Sequence, residues 1–243
     1  MGLFDFFSKD TDQLKAVERW GKRLMNKHHQ TAERLAAIDG LAKIGTPAAI
    51  VVLLKRFQYR TEQSIVDEDE KQTTYDRIVG LGTKAVPGIV AYINKEPGAY
   101  WPVKAMRALV GDEVSAQHVV EAIEAIPHTF GQNRERRHQL VDNLRAFANN
   151  DRVFALVKGL LEDEDEEIIV RAVDALSARE AEGDIPALLV ELFLRESTTV
   201  RVRMMVLELM AERGWSAGEA KDKMKPLLAG AYALDGDGKI KRR

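Results

Sequence analysis

A recurring punctuation constrains this 243-residue chain more than any other feature. An apolar helical stretch meets a glycine or asparagine stop, a capping residue follows, and a second apolar stretch begins. The clearest instance runs from Ala32 to Phe57. Leu35, Ile38, Leu41 and Ile44 recur at three-residue spacing with Ala36, Ala37 and Ala42 between them, which draws an apolar stripe along one helix face. Gly45 is the residue type that closes a helix in the left-handed conformation. Thr46 is a capping type, and Pro47 falls at the first helical position, where its missing N–H costs nothing. The next stretch carries Ile50, Val51, Val52, Leu53 and Leu54 and is apolar nearly all round. Such a helix needs cover on several sides, and a single hairpin cannot supply it.

The stops fall at positions 45, 82, 111, 150, 183 and 214, with gaps of 37, 29, 39, 33 and 31 residues. A period of about 34 residues with variable spacing is the mark of stacked helical pairs. Two blocks agree in pattern: Val103-Lys104-Ala105-Met106-Arg107-Ala108-Leu109 and Val170-Arg171-Ala172-Val173-Asp174-Ala175-Leu176. The expected fold is therefore all-α, with about six helical hairpins, running as a single stack over residues 11–230. Residues 11–26 read as an amphipathic capping helix with Leu14, Val17, Leu24 and Met25 inward. Residues 1–10 read as an apolar tip, 61–72 as a mobile loop, and 231–243 as a flexible polar tail.

These blocks resemble HEAT repeats, in particular the short bacterial kind first noted in phycobilin lyases. Arg34-Leu35-Ala36-Ala37-Ile38-Asp39-Gly40-Leu41-Ala42-Lys43-Ile44-Gly45 looks like the first-helix pattern of that family, and Asp165-Glu166-Glu167-Ile168-Ile169-Val170-Arg171 looks like its acidic lead-in to a Val-Arg step. The resemblance covers roughly residues 28–230. It departs near 135, where no clean Val-Arg step occurs, and in the spacing from basic residue to leucine. It implies a right-handed α-α superhelix, an armadillo-like solenoid whose second helices line a concave face.

Residue chemistry narrows the function classes. The absence of cysteine removes disulfides, thiolate metal sites and cysteine nucleophiles. No His-Glu-x-x-His, phosphate loop, Gly-x-Gly-x-x-Gly or Gly-x-Ser-x-Gly is present among the motifs of the chain. Of the five histidines, His28, His29, His118, His128 and His138, the first two read as a solvated helix end and His118 as a partly exposed polar residue. The run Asp235-Gly236-Asp237-Gly238-Lys239-Ile240 resembles the middle of a calcium loop, but Ala233 would occupy its first position. The expectation is therefore a non-enzymatic protein with no cofactor and no metal. A net charge of -2 gives no general pull toward nucleic acid, although Arg134-Glu135-Arg136-Arg137-His138 and Lys239, Lys241, Arg242 and Arg243 form local basic runs. No apolar run reaches bilayer-spanning length and no signal peptide is visible, so a cytoplasmic protein is expected.

The leading expectation is a scaffold that binds a protein partner on its concave face through Lys55, Arg56, Tyr92, Lys95, His118, Glu121, Lys158, Glu191 and Arg195, with Arg56 and Tyr92 as the strongest contacts. Three alternatives stand beside it. One is a HEAT-like DNA glycosylase or DNA-binding protein. Another is a phycobilin lyase-like protein. The third is a membrane-peripheral adaptor anchored by Leu3, Phe4, Phe6 and Phe7, whose other reading is docking onto the first hairpin. Trp20, Trp101 and Trp215 read as core packing.

Overall fold

The computed structural model describes residues 3–127, 132–180, 183–228 and 230–243, excepting the side chains of 3–10 and 132. The described residues are mostly helical, as the periodicity predicts. They divide into two compact units, Met1–Leu140 and Val141–Arg243, where the sequence suggests a single run.

Unit 1 holds α1 (Leu3–Met25), α2 (Thr31–Ile44), α3 (Pro47–Leu54), α4 (Ser64–Gly80), α5 (Val86–Ile93) and α6 (Tyr100–Glu124), the last broken at the expected stop Gly111, where φ is 77. The α2–α3 junction follows the sequence grammar. Gly45 adopts φ 62, and the Thr46 hydroxyl accepts the Ala49 N–H at 3.3 Å. Helix α2 packs on α4 and α4 on α6, forming one row; α3 packs on α5, forming a second. Helix α1 packs on both α2 and α3. Within the core, Gly88 of α5 lets the helix backbone approach Ile50 of α3 so closely that an added Cβ would lie 2.6 Å from the Ile50 Cβ. Val17 and Leu24 of α1 face inward as expected, but Leu14 and Met25 are exposed, at 61% and 41%. The turn α1 makes per residue carries Leu14 and Met25 off the single stripe that touches α2 and α3.

Helix α7 (Gln132–Asp142) spans the boundary residue and runs into a 3-10 turn at Asn143–Phe147. Unit 2 continues with α8 (Asp151–Leu160), α9 (Glu166–Ser177), α10 (Ile185–Leu194), α11 (Val200–Arg213) and the short α12 (Lys221–Met224). The 143–147 turn packs on α9 and α9 on α11; α10 packs on α11 and α12. Arginines tie each pair to the one before. Arg179 and Arg195 donate to the carbonyls of Ala148 and Leu161 at 2.9 and 2.8 Å, and Arg213 donates to that of Ser177. These bonds reach back 31, 34 and 36 residues, close to one period of the punctuation.

Two segments differ from expectation. Residues 64–72, read as loop, form the first turns of α4. Three of their charged residues are not solvated: Asp67, Glu70 and Lys71 are buried and neutralised by one another and by two arginines. Residues 231–243, read as a loose tail, contain an antiparallel hairpin of β1 (Tyr232–Leu234) and β2 (Ile240–Arg242). Buried Tyr232 and Ile240 fix it, and β2 packs on α11. The Asp-Gly-Asp-Gly run is its turn. The Asp235 carboxylate accepts the N–H groups of Asp237 and Lys239, a local Asx arrangement that needs no ion.

Candidate interaction surface

In unit 1 the ends of α1 and α3 meet the starts of α2 and α4 around a buried ionic cluster. Glu70 accepts from Arg34 Nη2 at 2.6 Å on one oxygen and from Arg56 Nε at 2.9 Å on the other. Arg56 Nη2 reaches Asp67 Oδ1 at 2.8 Å, and Lys71 Nζ holds the second oxygen of Asp67. Three cations thus share two carboxylates. The surplus positive charge is met by backbone carbonyls: Lys27 and His29 accept from Arg34, and Tyr59 accepts from Arg56. The Tyr59 ring lies 4.4 Å from the Arg56 guanidinium. Burial by itself would raise the Asp67 carboxyl, but hydrogen bonds from Lys71, Arg56 and the Thr61 N–H outweigh it and hold it at about 2.

That depressed value carries a pH prediction. A carboxylate ionised more readily in the folded than in the unfolded chain stabilises above its ordinary 3.8, and the gain is lost as pH falls through about 2. The melting-temperature gap between the wild type and Asp67→Asn should be widest at neutral pH. It should close as pH drops from about 4 toward 2; a gap independent of pH would show that the charge of Asp67 is not what stabilises.

Directly beyond Arg56 lies an aromatic platform. Phe57 stacks on Trp101 with ring centroids 5.1 Å apart and planes 8° from parallel. Tyr75 of α4 meets the same indole at 5.9 Å and 59°, and Tyr100 meets it edge-on at 5.7 Å and 81°. Lys104, one turn along α6, places its ammonium 4.5 Å above Trp101 and 5.1 Å above Tyr75. Such contacts favour offset and edge geometries and a cation over the ring face. Tyr100 is 62% exposed, while Phe57, Tyr75, Trp101 and Lys104 are half-buried. The platform is therefore part of the surface, most open at Tyr100. Its backbone support comes from both sides. Arg56 is locked by the ionic cluster, and the Gly98 N–H before α6 donates to Gln139.

No protein-family model matches this chain, and a search of curated proteins gives no match. The residues of the site therefore speak through geometry alone.

The nine residues expected on a concave face fare unevenly. Arg56 and Tyr92, expected as its strongest contacts, have no exposed surface. Arg56 belongs to the ionic cluster. The Tyr92 hydroxyl donates to the Pro97 carbonyl at 2.7 Å and accepts from Gln58, and burial pushes its pKa well above the ordinary value. Both are polar positions of second helices and of types that dominate interfaces, which points to a surface; burial wins where each polar tip finds partners. Lys55 pairs with Glu96 at 2.8 Å, and Gln58 joins Glu96 to Tyr92, so Lys55 and Tyr92 share one network. Lys95 and Glu121 are exposed, and half-buried His118 lies 3.7 Å from Glu121. In unit 2, Lys158 pairs with Asp184 at 3.3 Å, Arg195 ties to Leu161, and Glu191 is exposed. In the basic run at 134–138, Arg137 and His138 are buried, so it is no open cationic patch. The side chains of Leu3, Phe4, Phe6 and Phe7, and His128, lie outside the described residues.

Sequence reasoning missed the platform by taking Trp101 as core. The available signal was Tyr100-Trp101 at the start of an amphipathic helix, with Lys104 one turn on. Among the described residues no group of three or more His, Asp or Glu is arranged to hold a metal ion, and no helix is long and apolar enough to cross a membrane.

Proposed function

We propose that this chain is a non-enzymatic, cytoplasmic interaction scaffold whose helical pairs are HEAT-like repeats, and that unit 1 docks a protein partner through the Phe57–Tyr75–Tyr100–Trp101–Lys104 platform. The row-on-row packing of α2, α4 and α6 and of α3 and α5 supports the repeat reading. The platform carries the functional one. Aromatic side chains with a flanking cation are the composition that dominates binding energy at protein interfaces, because large rigid rings bury area at little entropic cost. A partner with an apolar side chain beside a carboxylate suits rings topped by a lysine. This moves the docking surface from the predicted concave positions to the start of α6.

The test is capture of binding partners on the immobilised chain, compared with Tyr100→Ala/Trp101→Ala. Each truncation of a central aromatic contact costs on the order of 1–2 kcal/mol or more, so retention of the wild-type partner should drop at least about tenfold. The exposed Glu121→Ala should leave it unchanged. Equal retention by the double variant, with an unaltered circular dichroism spectrum, would remove the platform from the binding surface.

A further inference from the structure

The chain is acidic overall, with a net charge of -2, yet its last segment is not. Residues 221–243 carry Lys221, Lys223, Lys225, Lys239, Lys241, Arg242 and Arg243 against Asp222, Asp235 and Asp237. All seven cations are exposed. Of these seven, Lys241 alone is ion-paired among the described residues, with Asp235 at 2.9 Å.

The fold gathers them. The hairpin turn is held against the start of α12: Ser216 Oγ accepts the Gly218 N–H and donates to the Asp237 carbonyl at 2.8 Å, and a bridge joins Ser216 to Lys239. A Cβ on Gly238 would stand 3.6 Å from that of Lys221. At the other end, the Arg243 N–H donates to the Ala231 carbonyl at 2.8 Å, four residues beyond Leu227. The basic residues of α12 and of the hairpin therefore occupy one small module rather than two separated runs. At its edge Leu227 is 43% exposed, beside Lys225 and Pro226.

We infer that this module, built from α12, the 225–227 turn and the β1–β2 hairpin, is a contact site for an anionic membrane surface. Clustered lysines and arginines are drawn to anionic headgroups, and an exposed leucine among them adds apolar insertion at the interface. A single-stranded nucleic acid would use aromatic rings for base stacking. The only ring within 221–243 is that of Tyr232, which is buried at 4% exposure. The exposed apolar group is aliphatic instead, which favours lipid. The site is separate from the α6 platform.

Co-sedimentation of the full chain with phosphatidylcholine–phosphatidylglycerol vesicles tests this, with phosphatidylcholine alone as the reference. The chain should bind the anionic vesicles and not the neutral ones, and binding should weaken as salt rises. Each lysine near such a surface is worth about one kilocalorie per mole, so Lys221→Gln/Lys225→Gln should lower partitioning roughly thirtyfold. Leu227→Ser should lower it further without altering retention on heparin. Tyr100→Ala/Trp101→Ala should partition like the wild type, which separates this site from the proposed docking platform. Absence of binding to anionic vesicles at low salt would overturn the inference. So would equal partitioning by the double lysine variant, or tight oligonucleotide binding that is indifferent to Leu227→Ser.

Discussion

Glu70→Ala should be the most destabilising single change to an ion pair in this protein, at about 3–5 kcal/mol. The carboxylate is 1% exposed and is gripped by two arginines of one helical pair, Arg34 on α2 and Arg56 just past α3. Removing it leaves the fully buried Arg56 and the 4% exposed Arg34 facing each other with one carboxylate, Asp67, against three cations. Coulomb attraction becomes repulsion in a poorly solvated site, and neither arginine can shed its proton. The surface pair Arg77–Asp39 is the internal comparison. It is as short, at 2.7 Å, but both side chains are about half exposed, so Asp39→Ala should cost under about 1 kcal/mol. Urea titration of the three proteins, followed by far-ultraviolet circular dichroism, measures both. Similar midpoints for Glu70→Ala and Asp39→Ala would mean that the buried cluster contributes no more than a solvated pair. Because the cluster sits in unit 1, the loss should appear first in the transition of that unit.

Gly88→Ala should rank second, and its sign is the informative part. Replacing glycine with alanine inside a helix ordinarily stabilises by up to about 1 kcal/mol, through helix propensity and a stiffer unfolded chain. At Gly88 the new methyl would lie 2.6 Å from the Ile50 Cβ and 3.0 Å from the Pro47 carbonyl oxygen. Backbone-anchored atoms cannot swing away, so α5 must move off α3, at a cost of about 2–3 kcal/mol. Gly159→Ala supplies the opposite sign. It lies in α8 with nothing within 4 Å of an added Cβ, and should gain on the order of 0.5 kcal/mol. Thermal denaturation of the two variants beside the wild type tests the pair. A stabilised Gly88→Ala would show that the α3–α5 contact tolerates separation.

The helical class was legible because punctuation is a local signal. Gly45, Thr46 and Pro47 act within a few residues, and each does in the structure what its side chain predicts. Asp112 and Asp151, which by sequence stand where a helix cap is expected after Gly111 and Asn149-Asn150, show the limit of the same logic. Asp112 pairs with Arg107, and Asn150 rather than Asp151 caps α8, a one-residue shift that sequence spacing cannot resolve. The buried charges were not legible at all. Asp67-Glu68-Asp69-Glu70 reads as carboxylates in a loop ahead of a helix N-terminus, because its neutralising arginines stand 11 to 36 residues away in the sequence. A helical period then splits the run: Asp67 and Glu70 turn inward, while Glu68 and Asp69 stay exposed. The hairpin at 232–242 escaped for a related reason. Its strands are three residues each, too short for alternation to register, and only the contact with α11 makes Tyr232 and Ile240 core. The platform was hidden by the default that tryptophan is interior, when Trp101 is only half-buried.

The arginine ties of unit 2 have a kinetic meaning. A bond that reaches back 31 to 36 residues asks the nascent polypeptide to close only modest loops, each paid for before the next is begun. Assembly can then advance hairpin by hairpin, and loss of order should travel inward from a terminal pair instead of striking everywhere at once. Amide protons of α9, flanked on both sides, should accordingly outlast those of α12 in deuterium oxide.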